Sequence, residues 1–207
     1  MKKFLLAAAM LLTFSNTAFA MLPLTDGMVE KAQLYGVERK GASLSEVLAP
    51  WTIYDRKQKN KFGLRERAVV YTPYLTAAVD AQQRASRGEK PTIAEGMQVA
   101  KQYNGVLALG LTISTSVKLE PKNLKVKMYQ GSNVLEPYYI SLNTAAQRDM
   151  QVLNRKTKTL QNVHVWDIQY YVYFDLSKLN AGRTMVLAAA DEYGGTREFV
   201  INLTKLN

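Results

Sequence analysis

The chain has no cysteine and a single histidine in 207 residues. The absence of thiol excludes disulfides, a lipid anchor built on cysteine, and every cysteine-nucleophile enzyme, because these chemistries require a sulfur atom. One histidine without cysteine also removes nearly all zinc patterns, which draw on several such ligands. Acidic residues are few as well: 17 Asp and Glu stand against 27 Lys and Arg. No apolar run is long enough to span a bilayer, which takes about 20 residues. The longest is Phe4 to Phe14, and it follows Lys2 and Lys3.

That run, with its basic start and the Ala18-Phe19-Ala20 that follows Ser15, Asn16 and Thr17, has the layout of a secretory signal. We expect cleavage after Ala20, an exported protein in the periplasm or secreted, and no transmembrane segment in the mature chain. Removing Lys2 and Lys3 leaves 25 basic against 17 acidic residues, so the mature chain stays basic and favours anionic contacts. With no disulfide to help, the fold must be held by burial alone, which a chain of this length can supply.

Helical signals come first along the chain. Thr25-Asp26 starts a short helix to Tyr35 with Gly36 as its stop, and Ser43 and Glu46 have capping-box spacing before SLSEVLA. Residues 55–67 (DRKQKNKFGLRER) read as a basic loop, and RAVVYT as a strand. Thr72-Pro73 then opens an Ala- and Gln-rich helix, and Thr92 with Glu95 opens another, which predicts a helical hairpin over 73–103.

From Val106 the apolar period becomes two. VLALGLTIS is a central strand. Leu124, Val126 and Met128 alternate with Lys125, Lys127 and Tyr129. A Gly131-Ser132-Asn133 turn leads to a partner over 134–142, whose Pro137 argues for a sheet edge. Residues 143–161 read as a polar connection. VHVWDIQYYVYFD puts His164, Trp166, Ile168, Tyr170, Val172 and Phe174 on one face, and two further strands close the chain. The expected fold is mainly β: an antiparallel β-sandwich of about seven strands with an inserted helical hairpin and short N-terminal helices. The expected layout is a signal at 1–20, short helices and basic loop at 21–65, and the sandwich at 66–207.

The stretch from Val106 to Ser141, with Leu119-Glu120-Pro121-Lys122-Asn123-Leu124 leading into an alternating strand and a Gly-containing hairpin, resembles the early strands of exported bacterial immunoglobulin-like domains. The resemblance implies immunoglobulin-like architecture and no particular activity.

Phosphate-loop, dinucleotide, calcium-loop and G-x-S-x-G patterns are absent, so no cofactor or metal is expected and no catalytic residue is assigned. His164 shares a strand face with Trp166 and Ile168, and is expected to be a partly buried structural residue. Two surface features remain. Arg56, Lys57, Lys59, Lys61, Arg65 and Arg67, with Lys125 and Lys127, would bind anionic glycan or lipid if they converge. Tyr138, Tyr139, Tyr171 and Tyr173 would offer a protein partner contact area at low entropy cost. No specific nucleic-acid signal is present. The expected function is a non-enzymatic binding or assembly module of the cell envelope. One alternative is a binder of anionic polymers or lipids. Another is a hydrolase with a carboxylate pair at Asp167 and Asp175, or at Asp191 and Glu192.

Overall fold

The structure, a computed structural model, describes residues 24–57, 60, 62–154 and 156–206. The expected signal segment, Lys59 and Lys61 lie outside the described residues.

The helix starts follow the expected capping chemistry. Thr25 caps α1 (Asp26–Glu38), and Ser43 and Glu46 form a complete capping box on α2 (Leu44–Leu48). The Thr72 hydroxyl accepts the Leu75 N–H of α3 (Pro73–Ser86), and Thr92 with Glu95 boxes α4 (Ile93–Lys101). Residues 73–103 are therefore mostly helical.

Gly36 does not stop α1; the helix runs through it to Glu38. Its lack of a side chain serves packing instead. A Cβ on Gly36 would lie 2.0 Å from the Ala78 carbonyl oxygen of α3, and one on Gly96 of α4 would lie 2.6 Å from Val29 of α1. Val29, Ala32, Ala77, Ala78 and Ala100 fill the space between these three helices as a small apolar cluster. Gln33 of α1 donates to the Thr92 carbonyl at 2.6 Å, and Gln82 of α3 donates to those of Arg39 and Ala42.

The strands are β1 (Thr52–Tyr54), β2 (Arg67–Tyr71), β3 (Val106–Thr115), β4 (Leu124–Gln130), β5 (Asn133–Leu135), β6 (Tyr139–Asn154), β7 (Thr159–Asp175), β8 (Met185–Asp191) and β9 (Thr196–Ile201). They form two antiparallel sheets, β1-β2-β3-β7-β6 and β5-β4-β8-β9. Alternation decides what each sheet buries. Leu107, Leu109, Leu111 and Ile113 of β3 and Ile168, Tyr170, Val172 and Phe174 of β7 point inward. There they join Val126 and Met128 of β4, Leu187 of β8 and Phe199 of β9 in one cluster, with Trp166 packed half-buried against it.

Three strand-level expectations are corrected. Residues 143–161 are not a connection: β6 and β7 continue through them as one long hairpin, closed by a turn at 156–158. The segment 134–142 is not one strand. It divides at Glu136–Tyr138, so that β5 pairs with β4 while β6 crosses to the other sheet, and Pro137, which has no N–H for a ladder, sits in the break. Both pieces are sheet edges, as Pro137 suggested. Finally, the His164 side chain is 70% exposed, because β7 at that point has outrun the core; it bonds the cross-strand Asp149.

Candidate functional site

The outward face of the five-stranded sheet carries a continuous run of tyrosines. The register sets Tyr71 of β2, Ala108 of β3, Tyr173 of β7 and Tyr139 of β6 in one cross-strand row. The next row is Val69, Gly110, Tyr171 and Ser141. Two small residues on β3 leave room for the rings. The Tyr71 ring lies over Gly110, where a Cβ would approach it to 2.8 Å.

The ring centroids follow one another closely: Tyr103 to Tyr71 at 6.4 Å, Tyr71 to Tyr171 at 5.7 Å edge-on, and Tyr171 to Tyr173 at 6.4 Å. Tyr139 and Tyr138 then lie 5.9 and 6.3 Å from Tyr173. Such spacings are those of favourable aromatic pairs. Exposure rises along the run: Tyr71 and Tyr103 are half-buried, whereas Tyr139 is 57% and Tyr138 61% exposed. The open end borders the outer edge of β6, which has no strand beside it among the described residues. Nearby, Asn143 donates to the side chain of Gln169 at 3.0 Å.

All four tyrosines singled out in the sequence meet here. Tyr71 and Tyr103 were missed. Tyr71 alternates correctly within RAVVY, but only the register brings it beside Tyr171, and Tyr103 reaches the row from the segment after α4.

Burial, and then the neighbouring Tyr171 hydroxyl, pushes the Tyr71 phenol well above its ordinary value. Tyr103 and Tyr173 are raised for the same two reasons, burial first and neighbouring phenols second. A raised folded-state value means that stability is complete below the unfolded value near pH 10 and falls as pH climbs above it. An ultraviolet difference titration should show these tyrosines ionising later than the exposed ones, together with loss of the fold.

The basic residues separate into two groups. Arg67 projects from the five-stranded sheet, and the Arg65 guanidinium lies 4.4 Å from the Tyr54 ring. Lys125 and Lys127 project from the outward face of the four-stranded sheet, across Ala190 and Ala188 from Thr196 and Glu198. Lys57 donates to the Thr196 hydroxyl, and Arg56 lies 4.0 Å from Glu198. Thus Arg56, Lys57, Lys125 and Lys127 share a surface, and Arg65 and Arg67 do not.

The expected carboxylate pairs do not converge. Asp167 and Asp175 lie eight residues apart on one strand, roughly 25 Å. Asp167 is held by Arg148 and the Ser114 hydroxyl, while Asp175 bonds Ser177. Glu192 is exposed, whereas Asp191 is buried against Arg197.

Asp191 belongs to a cluster that joins the sheets. Arg197 of β9, 4% exposed, lies between Asp191 and Glu66, with its Nε 2.7 Å from Glu66. Glu66 also accepts the Ser114 N–H at 2.8 Å. These residues line a cleft of about 290 Å³ together with Asp55, Asn60 and Thr196, and Asn60 donates to Glu66 at 3.2 Å. Burial opposes the Asp191 charge. Hydrogen bonds from Arg197 and the Gly195 N–H outweigh it and hold the carboxyl below the usual range. A general acid needs the opposite shift. The arrangement is that of a buried ion cluster pinning two sheets together.

Comparison with protein-family profiles, with curated proteins and with solved structures finds no match to this chain.

Proposed function

We propose that this is an exported, non-enzymatic binding or assembly module of the bacterial cell envelope, built on an immunoglobulin-like β-sandwich. Its contact surface is the exposed end of the tyrosine row together with the free edge of β6. The signal-like layout of residues 2–20 and two antiparallel sheets closing over one core support the first part of this reading.

The observation that carries the contact surface is the convergence of Tyr138, Tyr139, Tyr171 and Tyr173 into one patch. Tyrosines bring a large rigid area and a hydroxyl at little entropic cost, and they are enriched at binding hot spots. The edge adds main-chain donors and acceptors. Natural edges are guarded by short length, lysine or proline. β6 is 16 residues long and contains neither lysine nor proline; its bulge at Asn143 and its charged Arg148 and Asp149 lie farther along, which leaves residues 139–142 as the open stretch beside the tyrosines.

Capture of an envelope protein should survive high salt, since the contact is apolar and aromatic. It should fall at least tenfold in Tyr138→Ser/Tyr139→Ser, the loss of two hot-spot rings. Capture that is equally strong from the double variant removes the tyrosine patch as the contact surface.

A second reading is favoured by the rows flanking Ala188 and Ala190. The floor is low, and Lys125, Lys127, Lys57 and Arg56 border it, accompanied by Glu198 and by Glu136, 3.4 Å from Lys127. This surface suits an anionic envelope polymer. Its binding should weaken steeply between low and high salt, and charge reversal at Lys125 and Lys127 should abolish it while the tyrosine variant leaves it intact.

A further inference from the structure

The pairing of β3 with β7 ends at Thr115 and Trp166, so residues 159–165 of β7 are paired with β6 alone. At about 3.4 Å per residue, this two-stranded arm reaches roughly 20 Å past the end of β3. A lone two-stranded ribbon has no core of its own, and apolar side chains at its end lie in water unless something covers them.

Leu153 and Leu160 face each other across the ribbon near its tip and are 53% and 65% exposed. The turn that joins their strands presents the exposed Lys156 and Lys158. Between Met150 and Trp166 the sequence contains Arg155, Lys156 and Lys158 and no Asp or Glu, while His164, nearer the base of the arm, bonds Asp149. The loop at residues 56–65 is likewise basic and free of acid, whereas several cations on the strands are paired. Lys127 and Arg148, for example, have carboxylate partners.

A leucine pair beneath a cationic turn, with no nearby carboxylate, matches the two-layer chemistry of an anionic bilayer surface. The side chains with methyl groups would enter the headgroup–acyl boundary while the ammonium groups remain at the phosphates. A convex tip two strands wide has no groove for a peptide, whereas a lipid surface requires no complementary shape. We infer that the tip of the β6–β7 arm docks on an anionic lipid bilayer. This inference is independent of the tyrosine patch, which lies toward the other end of the same hairpin.

The test is co-sedimentation with vesicles of phosphatidylcholine alone or mixed with phosphatidylglycerol. It uses protein purified after export, with its N-terminus read by mass spectrometry and shared by all variants. The protein should bind the mixed vesicles and not the neutral ones. Lys156→Gln/Lys158→Gln should weaken binding about 25-fold, since each cation near an anionic surface contributes about fivefold. Leu153→Ser/Leu160→Ser should weaken it at least tenfold, with circular dichroism unchanged. In Leu160→Trp, the added fluorophore should shift to the blue on the mixed vesicles, a readout that does not depend on a loss of binding. Absence of binding to mixed vesicles overturns the inference. So does binding that is insensitive to both double variants. Binding that soluble polyphosphate competes away and the leucine variant leaves untouched identifies a polyanion site and also overturns it.

Discussion

Replacing Arg197 by alanine should cost about 3–5 kcal/mol, the penalty for stranding buried carboxylates without their cation. In a chain of this size, the melting temperature should fall by on the order of 10 °C. The reason is geometric. The guanidinium is 4% exposed and lies between Glu66, beside β2 of one sheet, and Asp191, at the end of β8 in the other. Removing it leaves two buried negative charges facing each other. Glu66→Gln is milder, because the amide oxygen still accepts the Ser114 N–H. The double variant Glu66→Gln/Arg197→Ala should therefore lose less than the sum of the two singles, by about 2 kcal/mol in a double-mutant cycle. Additive losses would show that the charges act independently.

The same cluster sets a pH dependence. The Asp191 carboxyl is depressed in the folded protein, so its contribution to stability is full above the unfolded value near pH 4. It is lost as pH falls through the folded value. Urea titrations from neutral pH down to pH 3 should show this slope in the natural chain. It should be much reduced in Arg197→Met, where the main hydrogen bond that depresses the carboxyl is gone.

Gly36→Ala and Gly27→Ala lie in one helix and should act with opposite sign. Alanine is the better helix former by about 1 kcal/mol. At Gly27 nothing stands within 4 Å of the added methyl, so that substitution should be neutral or stabilising by up to about this amount. At Gly36 the methyl would stand 2.0 Å from the Ala78 carbonyl oxygen and 2.9 Å from the Gln82 nitrogen, both backbone atoms of α3. Two helices have to separate to admit it, and overpacking of this kind costs about 2–3 kcal/mol net. Chemical denaturation of the two variants side by side checks the contrast. Equal midpoints would mean that α1 and α3 do not meet as closely as described.

Several features of the fold were legible because they rest on local chemistry. A threonine or serine whose hydroxyl can accept an N–H of the first turn marks a helix start whatever lies around it, and all four expected caps form, two of them completed by a glutamate three residues on. The inward faces of β4 and β7 were legible because alternation responds directly to a one-sided core, whereas β3 is buried on both faces and read only as an apolar central strand. The arm was not legible, for the same reason in reverse. Beyond Trp166 the ribbon buries only Val165 among its described residues, so the segment carries few apolar side chains and residues 143–161 read as loop. His164 was misplaced by extending the core face past the point where the core ends. Gly36 shows a different ambiguity, since a glycine near a helix end suits a stop signal and a helix crossing equally well.

The candidate surface was half legible. Tyr138, Tyr139, Tyr171 and Tyr173 could be named as outward rings, but their meeting with Tyr71 and Tyr103 depends on the pairing of β2 with β3 and β3 with β7, which no single segment encodes. The basic residues show the converse. Proximity in sequence put Arg56, Lys57, Arg65 and Arg67 in one loop, whereas Arg56 and Lys57 lie against β9 and Arg65 and Arg67 against β1 and β3.

The ladder between β6 and β7 slips once, between Leu142 and Thr144. There Asn143 is the extra residue, and such a bulge bends its strand and increases the local twist. Its position makes it a steering joint. It sits where β7 is still paired with β3, with the projecting length beyond it, so a small angle at this residue becomes a displacement of several ångströms at the far end. Deleting Asn143 would restore a regular ladder and re-aim the projection while leaving every one of its side chains unchanged. Direction and composition are therefore separable in this molecule: one residue sets where the ribbon points, and the others set what it presents.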